Sequence, residues 1–134
     1  MRYDHIGIVV KSIDESIAIF ERDFPGFSSS EVYFDKEIDV KIQFIKYENS
    51  NKIELIEPLS KQSPIRSVLE KKNSSNIHHI AYSCKDIEET CGYFREKGYG
   101  FLTNFYNAVA FNGARVIFLL SPMHFIVELI EDND

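Results

Sequence analysis

At 134 residues, 44 % of them apolar and 27 % charged, the chain suits one globular domain with a core of its own. A formal charge of −6, with no Lys/Arg stripe and no interleaving of basic with aromatic residues, argues against nucleic-acid and acidic-membrane partners. Cys84 and Cys91 are too few for a disulfide framework and are expected as core thiols; no signal peptide or membrane-length apolar run is legible, so a cytoplasmic protein is expected.

Tyr3 to Val10 reads as a strand, with Ile6, Ile8 and Val10 on one face and His5, Gly7 and Val9 on the other. Ser12 then stands as a helix N-cap with Glu15 three residues on, and Ile13, Ile17, Phe20 and Phe24 form one apolar stripe that Pro25-Gly26 ends. Three strands are expected near Phe27–Phe34, Asp39–Tyr47 and Lys52–Pro58, the last two joined by a turn at Asn49-Ser50-Asn51. Ser63-Pro64 is expected to start a short helix with Ile65, Val68 and Leu69 as its apolar side, before the polar connector Lys71 to Asn76.

The second half repeats the first at an offset of 74 residues. Ile77–Cys84 is a strand, Asp86 caps a helix whose Ile87, Cys91 and Phe94 match Ile13, Ile17 and Phe20, and Lys97-Gly98 ends it. Strands are expected near Tyr99–Phe105, Gly113–Leu120 and His124–Glu131. Ile53-Glu54-Leu55-Ile56-Glu57 returns as Val127-Glu128-Leu129-Ile130-Glu131, and His5-Ile6 as His79-Ile80. Two copies of this length point to one domain of two repeats, about 1–58 and 77–134, joined by a connector at 59–76.

Strand parity carries the chemical reading. If the aliphatic faces pack on helices, His5 and Glu54 share the other face, and so do His79 and Glu128. Two imidazoles and two carboxylates then form a set that suits one divalent ion: Zn²⁺, Ni²⁺, Co²⁺, Fe²⁺ or Mn²⁺. A lone strand histidine is usually a surface residue; the joint match in repeat register is what favours ligation. His78 is expected to be exposed or to support a ligand, His124 to be solvated at a turn, and Glu57 and Glu131 to be exposed strand ends.

The chain resembles the vicinal oxygen chelate superfamily, which includes glyoxalase I, methylmalonyl-CoA epimerase, extradiol dioxygenases and fosfomycin or bleomycin resistance proteins. The resemblance covers nearly the whole chain and rests on Asp4-His5-Ile6-Gly7-Ile8-Val9-Val10, Ile53 to Leu59, Ser63-Pro64-Ile65, His78-His79-Ile80-Ala81 and Val127-Glu128-Leu129. It is most similar to methylmalonyl-CoA epimerases and the small bacterial glyoxalase-like proteins. The resemblance implies an α+β fold of two tandem βαβββ modules in an open, cupped mixed sheet around one metal. It implies His5, Glu54, His79 and Glu128 as metal ligands and a homodimer; epimerases often carry Gln at the Glu54 position, glyoxalases Glu. Leu120 to Ile126 departs from the family's His-Pro-Lys and Gly-rich loop, which counts against a CoA-thioester substrate.

The expected activity is metal-assisted enolate chemistry on a small oxygen-chelating substrate, with Glu128 or Glu54 as the base. Lys41 and Arg115, at equivalent strand positions, and Gln43 are candidate substrate-binding residues. The alternative is a non-catalytic small-molecule or antibiotic-binding protein; an Fe²⁺ dioxygenase is weaker, since that chemistry uses two His and one carboxylate.

Overall fold

The structure, a computed structural model, describes residues 1–49, 51–71 and 75–132. Ser50 of the expected turn and residues 72–74 of the expected connector lie outside the described residues. Two compact units are present, one of Ile6–His78 and one of Met1–His5 with His79–Asp134. Their boundary falls inside two strands, β1 (Arg2–Val9) and β5 (Ile77–Cys84).

The unit of residues 6–78 carries α1 (Ile13–Asp23), β2 (Phe27–Asp35), β3 (Val40–Tyr47), β4 (Lys52–Pro58) and α2 (Arg66–Glu70). Ser12 caps α1 by accepting the Glu15 N–H at 3.1 Å, as its position predicts, and such a cap is worth about 1 kcal/mol. Strands β2, β3 and β4 run antiparallel, with a bulge between Ser29 and Val32. Val10, Ile13, Ile45 and Leu55 form the core, and Ile17 and Phe20 pack on it. Phe24 does not continue that stripe: it is the C-cap residue of α1 and is mostly exposed. Ser63 does not start α2. Its carbonyl accepts the Arg66 N–H in a tight turn, Ile65 is the N-cap, and the helix buries no residue fully.

The other unit carries α3 (Ile87–Glu96), β6 (Gly100–Phe101), β7 (Tyr106–Ala108), a 3₁₀ turn at Val109–Phe111, β8 (Ala114–Leu120) and β9 (Ile126–Glu131). Asp86 caps α3 through the Glu89 N–H at 3.0 Å. Gly98, at φ +87°, ends it in a backbone region that L side chains rarely adopt. β5 and β9 pair in parallel, while β8 pairs antiparallel with β9, β7 and β6. The class is therefore α+β with mixed strand pairing. Of the strand expected over Tyr99–Phe105 only Gly100–Phe101 is strand, and a further short strand, Tyr106–Ala108, follows beyond that range; between them the Phe118 N–H goes to Thr103 Oγ1 at 3.0 Å instead of to a ladder carbonyl. The last strand starts at Ile126 and not His124, whose φ of 69° places it in a turn.

This unit packs on both faces of its strands. Cys84, Ile87, Cys91, Phe94, Ile117, Leu119, Val127 and Leu129 form the helix side. Ala81, Ala108, Ala114, Val116 and Ile130 form the other, with Tyr106 and Phe111 against them. Both cysteines are free thiols in the core, and burial pushes each up from its ordinary pKa. Among the described residues no helix is long and apolar enough to cross a membrane.

Candidate metal centre

His5, His79 and Glu128 meet inside the unit formed by residues 1–5 and 79–134. Each comes from a different strand, and His79 and Glu128 lie on the face of β5 and β9 that alternation turns away from the α3 core. In the parallel β5–β9 pair, Glu128 stands beside Ala81, two residues on from His79 and therefore on the same face. Ala81 is a small neighbour, which leaves room for the carboxylate. All three side chains are buried, at 0 %, 3 % and 3 % exposure. His5 Nε2 lies 3.2 Å from His79 Nε2, and each of these nitrogens lies 3.3 Å from Glu128 Oε1.

Those separations bear on what the trio can hold. Donors bound at about 2.0–2.1 Å to one ion stand about 2.9 Å apart at right angles and about 3.4 Å apart in a tetrahedron. The three distances fall in that window. A carboxylate and two imidazoles drawn out of water this closely are costly without a compensating charge, and a divalent cation supplies one. Ligand type fits a borderline transition metal and not the all-oxygen shell of Ca²⁺ or Mg²⁺.

Aromatic rings frame the imidazoles. Phe111 stacks on His5, with centroids 5.7 Å apart and planes at 20°. Phe118, directly opposite Glu128 on β8, meets the His79 ring edge-on at 5.2 Å, and Tyr106 stacks on Phe118. On its outer nitrogen His5 bonds Asp4, with Nδ1 2.7 Å from Oδ2.

Glu54 belongs to the other unit. It is 3 % exposed on β4, opposite Phe44 of β3, and points away from Leu55 and the α1 core. Ile42, Ile56 and a buried carboxylate, Asp35, share its face by register.

The three substrate-side candidates are not brought to these faces. Lys41 stands opposite Glu57 and Gln43 opposite Leu55, both on the helix side of their strands, and Gln43 Nε2 donates to the Ser30 carbonyl at 2.8 Å. Arg115 sits one residue from Val116 and hence on the helix side of β8, where its guanidinium forks onto Glu131 at 3.1 and 2.7 Å and reaches Glu88 at 3.2 Å. That pairing holds Glu131 below the usual carboxylate range. Glu57 and Glu131 are not exposed ends. Both are half-buried, and Glu57 accepts the Ile13 N–H at 2.7 Å at the start of α1. Asp4, Tyr106, Phe111 and Phe118 escaped the sequence reading. For Asp4 the signal was its place beside His5; for Phe111, in a 3₁₀ turn, periodicity offered none.

Comparison with known proteins places the chain in a family. The sequence model of the Glyoxalase/Bleomycin resistance protein/Dioxygenase superfamily matches residues 4–118. The uncharacterized protein YqjC of Bacillus subtilis is 34 % identical over 133 residues, covering 97 % of this chain and 91 % of that one. The mitochondrial methylmalonyl-CoA epimerase of Dictyostelium discoideum is 35 % identical over 86 residues, 64 % of this chain and 51 % of its own length. The crystal structure of hypothetical protein BH1468 from Bacillus halodurans superposes with a TM-score of 0.86 at 32 % identity, covering 99 % of this chain and 95 % of that one. Methylmalonyl-CoA epimerase from Mycobacterium tuberculosis shares the fold, with a TM-score of 0.82 at 21 % identity, 99 % of this chain and 89 % of that one. The chain belongs to the Glyoxalase/Bleomycin resistance protein/Dioxygenase superfamily.

Proposed function

We propose that the chain is a divalent-metal-dependent enzyme that moves a proton at the carbon beside a carbonyl, on a small substrate that chelates through two adjacent oxygens. The observation that carries this reading is the buried cluster of two imidazoles and a carboxylate with donor separations of 3.2–3.3 Å. Glu54 is taken as the fourth ligand, on its repeat position and its burial.

A bound divalent ion would supply Lewis acidity, stabilising the negative charge that develops on a substrate oxygen. His5 and His79 serve as neutral donors and keep their places throughout. Glu128 or Glu54 takes the proton from carbon, a role worth about 10²–10⁴-fold in rate; for isomerisation the same carboxyl group returns it, and for epimerisation a second acid on the opposite face of the substrate delivers a proton while the first carboxyl group gives its own to solvent. Phe111 and Phe118 pack against the His5 and His79 rings and give the site an apolar border. Return of a proton to the same carbon from the other side is epimerisation; return to the neighbouring carbon is the glyoxalase isomerisation. The similarity to methylmalonyl-CoA epimerases supports the first outcome, and a carboxylate at position 54 supports the second. The reading also takes the enzyme as a cytoplasmic homodimer. Two free, buried thiols suit a reducing compartment, and sedimentation tests the dimer.

The test is solvent-deuterium exchange by metal-loaded protein, with methylmalonyl-CoA and with the methylglyoxal–glutathione hemithioacetal. Metal-dependent exchange into one of them supports the reading. A protein that takes up metal, exchanges neither, and binds an antibiotic tightly would replace it with the binding-protein alternative.

A further inference from the structure

We propose that Asp4 is a positioning residue of this site. Its carboxylate fixes the tautomer and rotation of the His5 ring, aims Nε2 at His79 and Glu128, and strengthens that nitrogen as a donor to a divalent cation. The proposal rests on the metal reading above and deepens it.

The geometry is direct. His5 Nδ1 and Asp4 Oδ2 are 2.7 Å apart, the length of a charge-assisted hydrogen bond. An ionised carboxylate only accepts, so the proton of this bond sits on Nδ1. A neutral imidazole with its proton there carries its lone pair on Nε2, the atom that stands 3.2 Å from His79 Nε2 and 3.3 Å from Glu128 Oε1. Turning the ring over would exchange Nδ1 for a carbon and break the bond, while stacking on Phe111 holds the plane. The His5 side chain is fully buried and that of Asp4 is 23 % exposed, so the bond links an interior donor to a carboxylate that keeps part of its hydration.

The repeat sharpens the point. The residue that takes the place of Asp4 in the second copy is His78, which offers no carboxylate. A carboxylate on the residue just before the histidine is therefore a feature of the first copy alone. Removing such a supporting partner costs about 10–100-fold in metal affinity.

The experiment measures Co²⁺ affinity by competition titration for the wild type and for Asp4→Asn, Asp4→Ala and Asp4→Glu. It is paired with the ¹⁵N signals of the His5 ring in each metal-free protein. The expected result is a Co²⁺ Kd raised about 10–100-fold in the Asn and Ala variants, loss of the pure Nδ1–H tautomer in both, and recovery in Asp4→Glu. A merely structural Asp4 would lower the melting temperature yet leave tautomer and affinity in place below it. Unchanged Kd in folded Asn and Ala variants, or an unmoved tautomer, overturns the proposal. Failure of the wild type to bind Co²⁺ would overturn the metal reading instead, while the ring signals still judge the role of Asp4 in fixing the tautomer.

Discussion

Glu57 and Glu131 hold the same place in the two repeats and have different work. Glu57 accepts the first N–H of α1, where a negative charge also meets the positive end of the helix dipole. Glu131 is held by the fork of Arg115, whose repeat counterpart is Lys41. Two residues earlier in each repeat the helix side carries Leu55 and Leu129, both at 0 % exposure. One residue further back, on the opposite face, Glu54 and Glu128 are the same residue at the same 3 % exposure. At the partly solvated strand ends, then, a carboxylate can exchange a helix terminus for an arginine at little cost. On the buried face a carboxylate has no solvent to fall back on, and the proposed role as a metal ligand would give each copy a reason to keep it.

The largest effects come from breaking that equality. Glu128→Gln or His79→Ala should abolish metal-dependent turnover, by at least the 10²–10⁴-fold assigned to a general base. The metal-free fold should survive, because removing one member relieves a crowded buried charge. In the wild type, metal at about 100 times its Kd adds about 2.7 kcal/mol of stability, seen as a rise in melting temperature that both variants lose. Glu54→Gln should lose the same rise; a variant that kept it in full would make the two inner carboxylates unequal.

Smaller effects belong to the outer carboxylates. Glu57→Gln removes charge from the start of α1 while keeping an acceptor, and thermal or urea denaturation should report a loss of about 0.3–1 kcal/mol, reduced by salt. Metal affinity should not move. Smallest is Arg115→Met. The pKa of Glu131 is depressed in the fold, so the stability it contributes is present above the ordinary carboxylate range and lost as pH falls through the folded value. The variant should therefore show a shallower loss of stability on the acid side than wild type, and high salt should reduce the difference, since the pair is only partly buried.

Much of this was legible in the chain itself, for physical reasons that differ by element. Ser12 and Asp86 mark their helices because a side-chain oxygen three residues before an orphan N–H is a local device, independent of the rest of the fold. His79 and Glu128 could be placed on one face because alternation in a strand is also local. The same rule, applied to Lys41, Gln43 and Arg115, puts them opposite Glu57, Leu55 and Glu131 on the helix side; following charge instead of parity led the reading astray. What stayed hidden depends on tertiary partners. Thr103 diverts the Phe118 amide between two short strands, and Phe111 reaches His5 from a turn whose Asn112 has a φ of 55°.

X-ray absorption on protein loaded with one equivalent of Co²⁺ or Zn²⁺ tests the centre most directly. The account predicts two imidazole shells with oxygen donors at about 2.0–2.2 Å, and loss of one imidazole in His79→Ala. A shell without imidazole, or one unchanged in that variant, would contradict it.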